Sequence, residues 1–241
     1  SNSDRQEYES ILAEAQRLRG QVQSKDLEGV VVILDPGNGG RDQGTRNVKN
    51  GYTIYEDEAA YDIVCRIKQV LETPTRAKVY VTMLDPDQQY TPADLDRFAD
   101  DEDELVLVTP NYKNEDAKVS VNLRWYLANS IFGKEVKGGA DPRKVIFTSI
   151  HLDSLFDGKL RGTMVYIPGA ANRRDSERGG PMATYGQYKE VQEAPEAKST
   201  AADRRRDEAL SRNFASTLLD ELGKARIKRH SVSDPIRNVI R

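Results

Sequence analysis

The sequence predicts an α/β fold: a single three-layer domain in which helices flank a mostly parallel central sheet, preceded by an N-terminal helix. Three observations support this fold class. An apolar run, VVVIL, occupies residues 30–34, helical spacing of apolar residues follows over 56–71, and a second apolar run, KVYVTML, occupies 78–84. Strands that alternate with helices at these lengths are typical of βαβ units, which bury parallel strands in one sheet.

The remaining elements continue the alternation. VNLRWYLANSIF (121–132) has helical spacing, KVIFTSI (144–150) is typical of a buried strand, and GTMVYIP (162–168) follows as another strand. A last helix is predicted over 204–222, with Leu210, Phe214, Leu218 and Leu222 on its inward face and Gly223 as its cap. A short strand is expected at LVLV (105–108), and the polar stretch 41–52 is expected to be a loop.

Residues 1–28 are predicted to form the leading helix and a linker, and residues 29–241 the α/β domain, with insertions at about 86–118 and 169–203. The first insertion contains DLDRFADDEDE (94–104), whose seven acids favour a solvated surface. The second is rich in Arg, Glu, Gly and Pro without an apolar period, which favours a mobile segment.

Composition excludes several classes of function. Lys plus Arg (36) do not exceed Asp plus Glu (39), so no basic excess indicates nucleic acid as a partner. Cys65 is the only cysteine, which excludes a disulfide framework and a cysteine-based zinc site. No run approaches the roughly 18 apolar residues of a membrane span.

The most informative motif is DPGNGG, at 35–40, directly after the first apolar strand. It lacks the Lys and Ser/Thr of a phosphate loop, and no helix follows as in a dinucleotide loop. Gly37, Gly39 and Gly40 indicate a turn with positive φ, and Asp35 is expected to fix that turn by hydrogen bonds to loop amides. SIHLDS (149–154) also begins where a strand ends, so Asn38 and His151 are expected on the same rim of the sheet.

Four motifs in order resemble the zinc-dependent N-acetylmuramoyl-L-alanine amidases of the type 3 family. They are ILDPGNGGRDQGT, GYTIYEDEAAYDIVCRIKQVLE, LRWYLAN and IFTSIHLDS, and the resemblance covers about residues 30–84 and 119–223. It implies hydrolysis of the amide between muramic acid and the stem peptide by zinc-activated water. It also implies peptidoglycan or a muropeptide as partner, and a location in the cell envelope, in the periplasm or outside the cell.

The resemblance places the zinc ligands at Asn38, Glu56 and His151. The family has His at the position of Asn38, and an amide oxygen is a poor zinc ligand, so zinc is either held weakly here or absent. The family's catalytic Glu, expected near the C-terminus, has no counterpart after Glu221, so the catalytic residue is unknown. Either the chain stops short of it or the residue is missing.

Several candidate residues have an alternative reading. Glu56 could instead close a capping box with Thr53, and His151 could be a hydrogen-bonded core residue. His230 lies in a basic stretch and is expected to be exposed, with replacement of the missing zinc ligand as the alternative. Arg124 is expected to pair with a carboxylate near the site.

Two functions therefore remain open. One is a peptidoglycan amidase; the other is a catalytically inactive amidase fold that binds cell-wall fragments or a protein partner, the latter through the N-terminal helix. An unrelated α/β binding domain is the third reading.

Overall fold

The computed structural model describes residues 25–49, 51–93, 97–153, 161–230 and 235–239, together with positions 6, 9, 10, 13 and 17. Those five positions are helical, as expected for the leading helix, but its predicted apolar face lies outside the described residues. A protein partner for this helix stays a prediction. No described helix has the length and apolar character needed to cross a membrane.

The strands and helices follow one another in the order β1 (Val31–Pro36), β2 (Arg46–Lys49), β3 (Tyr52–Tyr55), α1 (Glu56–Thr75), β4 (Lys78–Val81), β5 (Met83–Leu84), β6 (Leu105–Val106), α2 (Ala117–Lys137), β7 (Val145–Ile150), β8 (Val165–Pro168), β9 (Ser176–Glu177), α3 (Met182–Tyr185), α4 (Lys189–Glu193), β10 (Ala197–Lys198), α5 (Ala201–Lys224) and β11 (Ile236–Val239). Short 3₁₀ helices occupy Pro142–Lys144 and Ala170–Asn172.

The central sheet of the first compact unit, residues 24–154 with 178–196, is parallel, as predicted. β1 lies between β4 and β7, and every residue of β1 is buried. In this register Pro36 lies opposite Ile150, so the residues that follow β1 and β7 emerge side by side at the same edge of the sheet.

Helices cover both faces of this sheet. Ile33 of β1 packs in one hydrophobic cluster with Leu123 and Tyr126 of α2. Val32 and Leu34, which point to the opposite face, pack in a second cluster with Val64 of α1. Because side chains alternate along a strand, β1 alone supplies the core on both sides, which gives the predicted three layers.

Two predicted strands differ from expectation. The run 78–84 is interrupted at Thr82: β4 pairs parallel with β1, whereas β5 pairs antiparallel with β6. β7 was expected to be fully buried, yet Phe147 is 50% exposed, because β7 is an edge strand of the three-stranded sheet among the described residues.

The predicted loop 41–52 is in part a hairpin. β2 and β3 pair antiparallel around Gly51, whose φ is +82°. The apolar and polar residues of YTIY alternate over only four positions, and the paired strand RNVK has two charged residues. The sequence pattern therefore did not reveal this hairpin.

The expectation of an unpacked segment at 169–203 is wrong for residues 178–196. Tyr185, Tyr188 and Val191 are buried in the cluster that α2 covers. Glu190 accepts hydrogen bonds from the backbone N–H of Thr109 (2.8 Å) and from its hydroxyl (3.0 Å). A few well-placed aromatic residues, rather than a periodic pattern, attach this segment to the core.

The second compact unit contains residues 155–177 and 197–241, with the first 23 residues. Within it β8 pairs parallel with β11, and a capping box between Thr200 and Asp203 begins α5. The predicted inward face of α5 is wrong: Phe214 is 42% exposed, and the buried apolar positions are Ala209, Ala215 and Leu219. The helix also continues past Gly223 to Lys224.

Candidate functional site at the carboxyl end of the sheet

The glycine motif forms a tight loop directly after β1. Asn38 has a φ of 62°, and Gly39 and Gly40 also have positive φ values. The loop closes on itself through the N–H of Gly39, which donates to the carbonyl of Asp42 at 2.8 Å. Asn is one of the few residues with a side chain that adopts this backbone conformation readily, which explains how it is accommodated between glycines.

Asp35, at the start of the loop, is buried and hydrogen-bonded to side chains of neighbouring elements. Its carboxylate accepts hydrogen bonds from the hydroxyls of Thr82 (2.5 Å) and Ser149 (2.7 Å). The guanidinium of Arg124, 3.4 Å from Asp35, also donates to the carbonyl of Pro36 at 2.5 Å. The described bonds of Asp35 therefore go to side chains of neighbouring elements instead of the expected loop amides, and Arg124 pairs with a carboxylate near the site.

Glu56 is the first residue of α1 and is 3% exposed. Its Oε2 accepts the N–H of Thr45 at 2.8 Å, and its Oε1 accepts the N–H of Leu152 at 3.1 Å. Burial works to raise the pKa of Glu56, but the hydrogen bonds that its carboxylate accepts outweigh burial and hold the pKa below its usual value. Glu56 is therefore an ionised carboxylate at neutral pH.

The capping-box reading of Glu56 is wrong. Tyr55 is the N-cap residue of α1, and its side chain forms no capping hydrogen bond. Thr53 lies inside β3, so its hydroxyl is not in a capping position. The carboxylate of Glu56 instead faces the residues that follow β7.

His151 follows β7 directly and meets Glu56. Its Nδ1 atom lies 3.0 Å from Oε1 of Glu56, and its side chain is 45% exposed. The side chain is thus reachable from solvent, which does not suit the alternative of a buried core histidine. Gly37 makes this approach possible, since a Cβ atom there would lie 2.5 Å from Nδ1 of His151 and 2.7 Å from the carbonyl oxygen of Ile150.

Asn38 lies beside the same carboxylate. A Cβ atom added at Gly44 would clash both with Nδ2 of Asn38 and with Oε2 of Glu56, so these two side chains border the same small space. Nδ2 of Asn38 is buried and has no hydrogen-bond partner within the described ranges. Asn38, Glu56 and His151 are therefore brought together, and we call these three residues the rim.

The donor set of the rim does not fit a tightly held catalytic zinc ion. Such an ion takes three protein ligands drawn from imidazole, carboxylate and thiolate groups. Glu56 and His151 supply one carboxylate and one imidazole, but Asn38 adds only a neutral amide, which leaves one of its atoms without a partner.

The remaining candidates for the expected site are the catalytic Glu and His230. β11 follows the last helix, but it contains no acid that could serve as the catalytic Glu. His230 belongs to the second compact unit and is 8% exposed, so the expectation of an exposed residue is wrong. The backbone N–H of His230 donates to the carbonyl of Thr163 at 3.0 Å.

An acidic group next to the rim was not anticipated. Glu104, expected in a solvated run, is 2% exposed and accepts the N–H of Gly40 at 2.6 Å. Residues 94–96 of that run lie outside the described ranges. The position of Glu104 immediately before the apolar LVLV run is the one sequence signal that favoured its burial.

Comparison with known proteins gave one result. A protein-family model described as N-acetylmuramoyl-L-alanine amidase matches residues 32–237. No curated protein and no solved structure matched the chain.

Proposed function

The chain belongs to the N-acetylmuramoyl-L-alanine amidase family, a family of peptidoglycan hydrolases, and we propose that it binds the muramoyl-peptide region of peptidoglycan at the rim without efficient hydrolysis. The rim lies where α/β sheets bind ligands, beyond the carboxyl ends of the strands. On this proposal the protein acts at the cell envelope, in the periplasm or outside the cell.

The observation that carries the proposal is the Asn38 side chain. Its Nδ2 is buried and without a partner among the described residues, next to the ionised Glu56 and the half-exposed His151. A buried amide without a partner costs free energy, about 1–3 kcal/mol, which a ligand group that hydrogen-bonds to it would recover. The carbonyl oxygens of a peptide stem are suitable acceptors.

Hydrolysis, by contrast, lacks the third strong ligand, which would let zinc, when bound, activate water and polarise the scissile carbonyl.

An active zinc amidase is the second candidate. It is favoured by the 3.0 Å contact between Glu56 and His151, which holds two zinc-ligand types together at the expected place. On this candidate, the amide oxygen of Asn38 completes the ligand set.

Sedimentation with purified peptidoglycan tests the proposal, and release of free stem peptide is assayed in the same samples with added zinc. The wild-type chain is expected to sediment with peptidoglycan, a soluble muramoyl-peptide fragment is expected to compete, and little stem peptide is expected to be released. Asn38→Ala should weaken sedimentation, while Asn129→Ala, which removes an amide whose described hydrogen bond goes to the backbone of its own helix, should not.

Two results would contradict the proposal. Absence of sedimentation would remove the binding function. Zinc-dependent release of stem peptide that His151→Ala abolishes would establish the second candidate.

A further inference from the structure

Five carboxylates gather beside the rim, where α1 begins. Asp57 and Glu58 lie in the first turn of α1 and are 1% and 4% exposed. Asp100, Asp101 and Glu104 come from the acidic run, and the N–H of Asp101 donates to Oε1 of Glu58 at 3.0 Å. We call these five residues the acidic cluster.

The cluster contains two overlapping trios. Carboxylate oxygens of Asp57, Glu58 and Asp100 lie within 4.8 Å of one another, and those of Glu58, Asp101 and Glu104 do so as well. Glu58 is common to both. Two oxygen ligands on opposite sides of one Ca²⁺ ion are separated by about 4.6–5.2 Å, twice its bond length to oxygen, so each trio has the size of such a coordination shell.

The buried members of the cluster lack cationic partners. Within the part of the chain that the structure describes, no Lys, Arg or His forms an ion pair with Asp57, Glu58 or Glu104. The guanidinium of Arg46 acts on Asp100, and Arg41 pairs with Glu102 outside the cluster.

The helix dipole does not account for this arrangement. The positive end of α1 stabilises a nearby carboxylate by about 0.3–1 kcal/mol, and by about 2 kcal/mol in the best buried cases. Burying an ion costs several kcal/mol, and here three buried carboxylates also repel one another. The cost of burying these charges therefore exceeds the stabilisation that the helix dipole supplies.

Two oxygens of the first trio also lack hydrogen bonds. The only described bond of the Asp57 carboxylate is from the N–H of Glu58 to Oδ1, and Oδ2 is buried without a partner. Oδ1 of Asp100 is likewise buried and unpartnered among the described residues, while its Oδ2 accepts the side-chain amide of Gln43. Buried carboxylate oxygens without donors, in side chains that lie this close together, are the arrangement that a cation satisfies.

We infer that Asp57, Glu58 and Asp100 form a binding site for a calcium-sized divalent cation, separate from the rim and independent of its proposed function. An all-oxygen site of carboxylates suits a hard cation. Ca²⁺ accepts irregular sets of carboxylates, whereas Mg²⁺ requires near-ideal octahedral geometry and keeps several waters, which favours Ca²⁺ here. By linking α1 to the acidic run, whose Glu104 holds Gly40, the bound cation stabilises the glycine loop.

Calcium titration of the chain, after treatment with a chelator, tests this inference by calorimetry and thermal unfolding at pH 7.5. We expect saturable binding with a Kd below about 1 mM and a higher melting temperature with calcium than with magnesium. Asp57→Asn and Glu58→Gln should each weaken calcium binding at least about tenfold. Both substitutions keep the size of the side chain and one oxygen that can accept its described backbone hydrogen bond, so the folded state should survive them.

Two controls separate this site from other acids and from the rim. Glu102→Gln, which alters an exposed acid of the same run, should leave calcium binding unchanged. His151→Ala should also leave it unchanged, so that failure of the rim and failure of the cluster are distinguishable. Absence of calcium binding, or binding that survives Asp57→Asn and Glu58→Gln, would overturn the inference and show that the carboxyl groups are neutralised by protons.

Discussion

The rim and the acidic cluster both involve the first turn of α1, yet they solve the burial of charge in opposite ways. In the rim, Glu56 accepts backbone hydrogen bonds and contacts His151, and at its root Asp35 is paired with Arg124. In the cluster, Asp57, Glu58 and Glu104 are equally buried but have no described cationic partner. The difference indicates that the protein itself balances the charges at the rim, whereas the cluster is complete only with a cation.

The largest expected effect concerns the paired charges at the root of the rim. Arg124→Met leaves the buried carboxylate of Asp35 without its cation, which is expected to lower the free energy of unfolding by about 3–5 kcal/mol. Urea denaturation measures this change. Arg143→Met removes the exposed pair with Asp141 and is expected to cost about 1 kcal/mol or less. Equal effects of the two substitutions would contradict the view that the buried ion pair between Arg124 and Asp35 stabilises the fold beside the rim.

The next effect concerns the close approach of the glycine loop to His151. Gly37→Ala forces a Cβ against the imidazole and the carbonyl of Ile150, and is expected to cost about 1–3 kcal/mol. It should also shift the imidazole resonances of His151 in NMR spectra. Gly133→Ala, in α2 with open space around it, should be neutral or slightly stabilising. Unchanged His151 resonances in Gly37→Ala would contradict the packing described here.

A third effect distinguishes the two regions by its sign. With a chelator at pH 7.5, Glu56→Gln should destabilise the chain, because an amide cannot accept all the hydrogen bonds that the carboxylate accepts. Glu58→Gln should instead stabilise it, because the wild-type carboxyl group must either take up a proton or bury an unpaired charge when the chain folds at this pH.

The pH dependence of the free energy of unfolding tests whether ionisation of Glu58 explains the stabilisation by Glu58→Gln. The folded pKa of Glu58, about 8, lies above its ordinary value, so ionisation costs stability as pH rises towards 8. The gain from Glu58→Gln should therefore vanish near pH 4, where the wild-type carboxyl group is protonated in both states. Denaturation curves at the two pH values measure it, and a gain that persists at pH 4 would exclude a charge effect.

The sequence predicted the parts of the molecule that follow from local pattern. The apolar run of β1, the helical spacing of α1 and the positions of Asn38 and His151 after strands were enough to predict the layers and the proximity of Asn38 and His151. The place of Glu56 beside them was implied only by the family resemblance. Long-range contacts were beyond that pattern. The burial of Tyr188 depends on where residues 178–196 meet α2, and the burial of Glu104 depends on the loop amide that it accepts.

Glu56 shows the same limit at a single residue. Its spacing from Thr53 suits a capping box, and only the β2–β3 hairpin, which keeps Thr53 in a strand, removes that option. The prediction of the inward face of α5 was wrong for a related reason. Small alanines at 209 and 215 are buried there, whereas the larger Phe214 is exposed, which an apolar period does not reveal.

The central claim is that Asn38 prevents the rim from holding zinc tightly, and zinc calorimetry on the wild-type chain and on Asn38→His tests it most directly. Histidine tolerates the positive φ of this position. We expect zinc affinity to rise by roughly 100-fold or more, the contribution of one strong ligand, and to fall again when His151→Ala is added. Tight wild-type zinc binding that His151→Ala abolishes and Asn38→His does not improve would contradict the account.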